Sequence, residues 1–314
     1  MQTPDTPPAP ADDCVIPILG MHRSGTSMFT RALQLMGVEL GEPLMSPQAD
    51  NPKGFWENEF FYGVNVRILQ AIQRHFSGYG RRDDLLQIPG ISAMIERTDE
   101  DLSTIEDYIR SQFGTSRVWG WKDPRTVLLF PFWLPVLVEL GFRRIRPMII
   151  TRHPSSCVRS LAARTDLDPL AGALGIDKTT LALEMWIAYA HVLLDIAAET
   201  GAYVSVHEWF MDADLARAEL GRAAVACGGL DLKEGLDQAL GWLDPGAVHH
   251  LEPPTLTGER GEEALDLYGD LVMRARQQQS AYRERDTPLQ ELAGPELSRA
   301  KLVFPTSRPA ATAS

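Results

Sequence analysis

The stretch Val15 to Gly37, "VIPILGMHRSGTSMFTRALQLMG", constrains this chain more than any other. Val15 to Leu19 is a short apolar run closing on Gly20, the pattern of a buried strand. From Ser24 onward, Met28, Ala32, Leu35 and Met36 recur at helical spacing, and Gly37 can end the helix. Between them lies Gly20-Met21-His22-Arg23-Ser24-Gly25-Thr26-Ser27. This is the phosphate-binding pattern G-x-x-x-x-G-K-[ST] with one departure: Thr26 stands where the lysine belongs. A strand–loop–helix of this kind points the N–H groups of Ser24 to Ser27 into one concavity, at the positive end of a helix dipole. Arg23 can supply a cation there, but from the crown of the loop rather than from the lysine position.

The remaining periodicities alternate strand and helix. "RVWGWK", Arg117 to Lys122, is a candidate strand, as are "IRPMIITR", Ile145 to Arg152, and "AYVSVH", Ala202 to His207. Helices are predicted over Phe60 to Phe76, Asp99 to Phe113, Ser155 to Arg164 and Tyr268 to Arg285. Asp177 caps a long one that runs to Thr200 before Gly201. Thr126 to Leu140 is apolar and kinked by Pro131 and Pro135. The order predicts one α/β domain, residues 14–304, with a parallel sheet flanked by helices. Ligands in such sheets sit beyond the carboxyl ends of the strands. Three strands end there in polar residues: the Gly20 loop, Lys122-Asp123 and Thr151-Arg152.

Composition narrows the partners. A net charge of -12 argues against nucleic acid and anionic membrane as partners, though not against a local basic pocket. The three cysteines have no metal-ligand spacing and read as reduced core thiols in a cytoplasmic protein; no metal site is expected. Residues 1–13 and 305–314 read as disordered tails, with no secretory signal and no transmembrane segment expected.

A second anion site is offered by "TRHPSSCVRSL". Arg152 closes a strand, Pro154 opens the next helix, Ser155 and Ser156 fall in its first turn, and Ser160 lies about two turns on. Two phosphate sites on one sheet imply a ligand with two separated anionic ends, the shape of a nucleotide with a 5′ chain and a 3′-phosphate.

With these residues the chain resembles the sulfotransferases that use 3′-phosphoadenosine-5′-phosphosulfate (PAPS). "RSGTS" is similar to their 5′-phosphosulfate loop, Arg152 and Ser160 have the spacing of their 3′-phosphate site, and "KDPRT", Lys122 to Thr126, resembles the Lys-Asp-Pro segment of tyrosylprotein sulfotransferases. "VSVHEWF" resembles a later strand of the family, with His207 in place of the usual Tyr. The resemblance spans roughly Val15 to Phe210 and does not reach the C-terminal third. It implies sulfuryl transfer from PAPS to an acceptor hydroxyl, leaving 3′-phosphoadenosine 5′-phosphate (PAP). Arg23, Ser24, Gly25, Thr26, Ser27, Arg152 and Ser160 would hold the cofactor, and Arg23 and Lys122 would stabilise charge on the leaving oxygen. A sulfuryl group carries one charge fewer than a phosphoryl group, so neither magnesium nor the loop lysine is required.

The hydroxyl needs a proton acceptor. In the relatives that act on sugars or on protein tyrosine a Glu follows the first loop by some tens of residues, and the resemblance points to Glu57 and Glu59 in "NPKGFWENEFF". Glu57 is favoured because it follows the apolar pair Phe55-Trp56, which raises a carboxyl pKa. His22, His75 and His153 rank below it. The acceptor is expected to be a small natural product, glycolipid or sugar. The rivals are a magnesium-dependent kinase with the same loop, and a non-catalytic nucleotide-binding protein.

Overall fold

The computed structural model describes residues 13–48, 51, 53–95, 99–243 and 255–284. In chain order the elements are β1 (Cys14–Leu19), α1 (Thr26–Leu35), α2 (Glu59–Ala71), α3 (Arg82–Ala93), α4 (Asp99–Phe113), β2 (Val118–Lys122), α5 (Thr126–Glu139), β3 (Arg144–Ile145), β4 (Met148–Thr151), α6 (Pro154–Ala162), α7 (Asp168–Leu174), α8 (Lys178–Thr200), β5 (Tyr203–Val206), α9 (Ala213–Ala226), α10 (Glu234–Trp242) and α11 (Gly258–Glu284). A short 3₁₀ helix, His207–Met211, follows β5. The expected tails, 1–13 and 305–314, lie outside the described residues except for Asp13, which is buried rather than part of a tail.

The sheet is parallel throughout, in the order β2-β1-β4-β5, with β3 paired to β1. Every residue of β1 is buried, as expected for a strand covered on both faces. The side-chain alternation divides the core in two. Val15, Leu19, Trp119, Trp121, Ile149 and Val204 face the larger layer, which includes α5 and α8. Cys14, Ile16, Ile18, Met148, Ile150 and Tyr203 face α1, α9 and α10. The fold is therefore α/β with helices on both faces, as the alternation of elements implies. Its connections leave β1 toward β2 on one side and return to β4 on the other. The carboxyl ends of β1 and β4 flank that switch point, where such sheets bind ligands.

One expected strand, Ile145 to Arg152, is two. The side chain of Pro17 closes a ring on its own nitrogen, so β1 has no donor at that point. Val15 accepts from Arg146 N, and pairing resumes only at Ile18 with Met148. Pro147 faces β5, where its carbonyl accepts from Tyr203 N, so the break in the β1 ladder between β3 and β4 falls at Pro17. The helix expected to reach Phe76 ends at Ala71, and Gln73 takes a positive φ of 56°. That reversal leads His75 to Tyr79 back over the sheet's carboxyl edge. Helix α8 is long and apolar enough to cross a membrane by length and composition, but Leu181, Met185, Ile187 and Leu193 are buried in the core.

Candidate functional site

A cavity of about 800 Å³ opens at the carboxyl ends of β1, β2 and β4. Its floor is the loop between β1 and α1. Gly20 has to be glycine because a Cβ there would lie 2.6 Å from the Ile150 carbonyl oxygen of β4. Gly25 sits at φ 91°, and a Cβ there would collide with the His207 ring. α1 starts on this left-handed glycine with no side-chain cap, and Gly25, Thr26 and Ser27 line the cavity. An uncapped N-terminus facing a cavity is a ready anion site.

The hydroxyls of Ser24 and Ser27 are committed elsewhere. Ser24 differs from the sequence reading: its N–H (3.2 Å) and its hydroxyl (2.7 Å) both turn back onto the Met21 carbonyl. Ser24 thus braces the loop, and the N–H fan begins at Gly25. Ser27 Oγ donates to the Phe55 carbonyl at 3.2 Å and accepts from Asn51 at 3.4 Å. Arg23, itself at φ 67°, donates through Nε to Ser160 Oγ at 2.9 Å. Arg152 Nη1 donates to the Arg23 carbonyl at 3.3 Å. The structure thus joins the first loop to the Arg152–Ser160 segment directly. His207 lies between them; burial and the Arg152 charge push its imidazole down to about 3, so it stays neutral.

On the opposite side, Glu57 meets Lys122 at the end of β2, with Nζ 2.6 Å from Oε1. Both line the cavity and are nearly buried, Lys122 at 2% and Glu57 at 6% exposure. Burial pushes the Glu57 carboxyl up from its ordinary value, and Asp123 adds to this, while Lys122 and Arg125 pull the other way. Glu59, the other candidate, is exposed at the first turn of α2 and does not line the cavity. Asn58 caps that helix, its side chain accepting from the Phe60 and Phe61 N–H groups. The capping geometry is what turns Glu57 inward and Glu59 outward.

Lys122 is held in place by a buried polar knot. Asp123 accepts from Asn65 Nδ2 at 2.9 Å and from Arg125 Nη1 at 2.8 Å. Asn65 also bonds Thr126 and Trp133, and Trp121 Nε1 donates to Thr126. Phe61 stacks on Trp121 at 4.5 Å and 10°. Of the residues in "KDPRT", the sequence reading gave Arg125 no role. It is buried, lines the cavity and lies 3.8 Å from Glu57 Oε2.

The histidines that the sequence ranks below Glu57 are each engaged by neighbouring groups. His22 Nε2 lies 3.0 Å from the Ser77 carbonyl, so that nitrogen carries the proton. Burial and the nearby Arg125 charge hold its pKa well below the ordinary range. His75 is stacked between Phe76 and Tyr79. His153 is the N-cap residue of α6 and packs edge-on against Tyr268. Trp56 and Trp242 form another part of the cavity wall, edge to face at 6.1 Å, with the Arg31 guanidinium over both.

No protein-family model and no curated protein matches the chain. Among solved structures, the sulfotransferase domain from the Synechococcus PCC 7002 olefin synthase aligns over 91% of this chain and 99% of its own, at 16% identity and a TM-score of 0.39. The sulfotransferase domain from the curacin biosynthetic pathway aligns over 90% and 96%, at 15% identity and a TM-score of 0.41. Sulfotransferase STF9 from Mycobacterium avium aligns over 89% and 78%, at 17% identity and a TM-score of 0.37.

Proposed function

We propose that the protein transfers a sulfuryl group from PAPS to an acceptor hydroxyl. The observation that carries this reading is the placement of Lys122 on Glu57 in the same cavity as a phosphate-type loop that has no lysine. The charge and size of the cavity support this donor. Six basic side chains line it against two carboxylates, Glu57 and Asp166, in a chain whose net charge is -12. Such a concentration of positive charge suits a polyanionic ligand. The volume, about 800 Å³, is in the usual range for a cofactor together with a small substrate.

PAPS, when bound, supplies the sulfuryl group and a stable leaving group. The N–H groups of Gly25 to Ser27 and the Arg23 side chain would hold its 5′ end. Arg152 and Ser160 would hold its 3′-phosphate. Lys122 and Arg23 stabilise charge as it develops on the leaving oxygen. Glu57, raised by burial, accepts the proton of the attacking hydroxyl. The acceptor is a small molecule or a glycan.

The donor set speaks against the kinase alternative. A magnesium-dependent phosphoryl transferase holds its ion with the loop hydroxyl and an aspartate. Here the Ser27 hydroxyl donates to Phe55, and Asp123 accepts from Arg125 and Asn65 and is not among the residues that line the cavity. Thermal unfolding separates the two readings. PAP in EDTA, at about a hundredfold excess over its Kd, is expected to stabilise the fold by ~2.7 kcal/mol. Stabilisation by ATP and magnesium with none from PAP would overturn the proposal.

A further inference from the structure

Glu57 faces two cations, one on each carboxylate oxygen, and they are held differently. Lys122 donates to Oε1 from the end of a flexible four-carbon stem. Arg125, 3.8 Å from Oε2, is clamped on several sides. Its Nη1 and its backbone N–H both donate to Asp123 Oδ1, at 2.8 and 3.0 Å. Its Nε donates to the Phe76 carbonyl at 2.8 Å, and its guanidinium lies 4.6 Å above the Tyr62 ring. Asp123 is anchored in turn by Asn65, whose Oδ1 accepts from Trp133 Nε1 at 2.7 Å.

We infer that Arg125 is a positioning residue, which keeps its charge against the second oxygen of Glu57 when Lys122 turns from Glu57 to the bound donor. The inference rests on the sulfuryl-transfer reading above, which asks Lys122 to serve two anions in turn. A buried carboxylate that loses its cation takes up a proton, because burial disfavours the charged form. A protonated Glu57 could not accept the hydroxyl proton. The charged groups that bear on it are Lys122 from β2 and Asp123 and Arg125 from the turn that follows, while His22 of the loop is neutral. Asp123 opposes ionisation of Glu57, so Arg125 is the fixed group that sustains it once Lys122 has moved.

The test is proton uptake on PAP binding near neutral pH, read by calorimetry in buffers of different ionisation enthalpy. Subtracting the uptake of Glu57→Gln leaves the part due to Glu57 and removes the part due to the ligand's own phosphates. In the wild type this part is expected to stay below about half a proton. Removing Arg125 alone would strand Asp123, so it is removed in the Asp123→Asn background: Asp123→Asn alone and Asp123→Asn with Arg125→Gln are measured, each with and without Glu57→Gln. The Glu57 part is expected to stay low in Asp123→Asn and to approach one proton in the pair, and Arg125→Lys in the same background, which retains the charge, is expected to return it to the value of Asp123→Asn alone. A purely structural role would alter the melting temperature without moving this proton. Large uptake in the wild type, no rise in the neutral pair or no rescue by lysine would each overturn the inference alone. Failure of the wild type to bind PAP would instead overturn the sulfuryl-transfer reading, and the inference with it.

Discussion

The loop side of the cavity and its Glu57–Lys122 side, the base side under the proposed function, are built in opposite ways. Gly20 to Ser27 is a run of consecutive residues whose geometry follows from two glycines, an uncapped helix start and a parallel strand beneath. The base side joins Glu57 to Lys122 across 65 residues of sequence. It depends on Asn65, Asp123, Trp121 and Trp133 to bring them together. The loop uses mostly backbone, which tolerates many side chains but not a Cβ at Gly25. The base side uses buried charges, each of which is costly without its partners. Substitutions on the two sides are therefore expected to fail in different assays, binding for the loop side and turnover or folding for the base side.

The largest expected effect is on the base side. Glu57→Gln keeps the shape but cannot take the proton, and is expected to lower the rate of PAP formation from PAPS by ~10²–10⁴. PAP affinity should remain near that of the wild type, and exposed Glu59→Gln should leave both unchanged. Loss of activity in Glu59→Gln with retention in Glu57→Gln would reverse the assignment. The acidic limb of the pH–rate profile is expected above the ordinary carboxylate range, because burial raises Glu57. It should vanish in Glu57→Gln and persist, on a lower plateau, in Lys122→Ala.

Asp123→Ala comes next, and its readout is folding. It leaves Arg125 buried without its closest carboxylate, which is expected to cost ~3–5 kcal/mol in denaturant unfolding. A variant as stable as the wild type would show that the polar knot does not hold the base side together. On the loop side, Arg152→Ala is expected to weaken PAP binding by ~1.5–3 kcal/mol, the range for a lost charge-assisted bond, with the melting temperature little changed. Gly25→Ala meets both a left-handed backbone and the His207 ring, and is expected to destabilise the fold by ~1–3 kcal/mol. Normal PAP binding by a fully stable Gly25→Ala protein would sever the link between loop shape and site.

The same contrast explains what could be read from the sequence. β1, the loop and the start of α1 are local, so periodicity and two glycines reveal them. The cap at Asp177 and the left-handed Gly201 fix α8 to within a residue. The break between β3 and β4 was hidden because its cause, Pro17, lies in a different strand. α3 escaped notice with Pro89 in its interior and a weakly patterned sequence. Glu57 is a candidate through its apolar neighbours and Lys122 through a family resemblance, and nothing local shows that the two meet in the fold. Arg125 was quoted beside Lys122 without a role, since nothing local shows that its fork will reach Asp123, Phe76 and Glu57 at once. The signal that could have exposed it is the spacing Asp-x-Arg ahead of a helix, which lets the aspartate bond the arginine's own N–H.

The central claim is that the loop and the Arg152–Ser160 segment together hold one nucleotide by its two phosphate ends. Calorimetric titration of the protein with PAP and with 5′-AMP, both in EDTA, tests it most directly, because the two ligands differ only in the 3′-phosphate. PAP is expected to bind more tightly by at least about tenfold, equivalent to ~1.4 kcal/mol, and the difference should disappear in Arg152→Ala. Equal affinities for PAP and AMP in the wild type, or a preference for PAP that survives Arg152→Ala, would contradict the account.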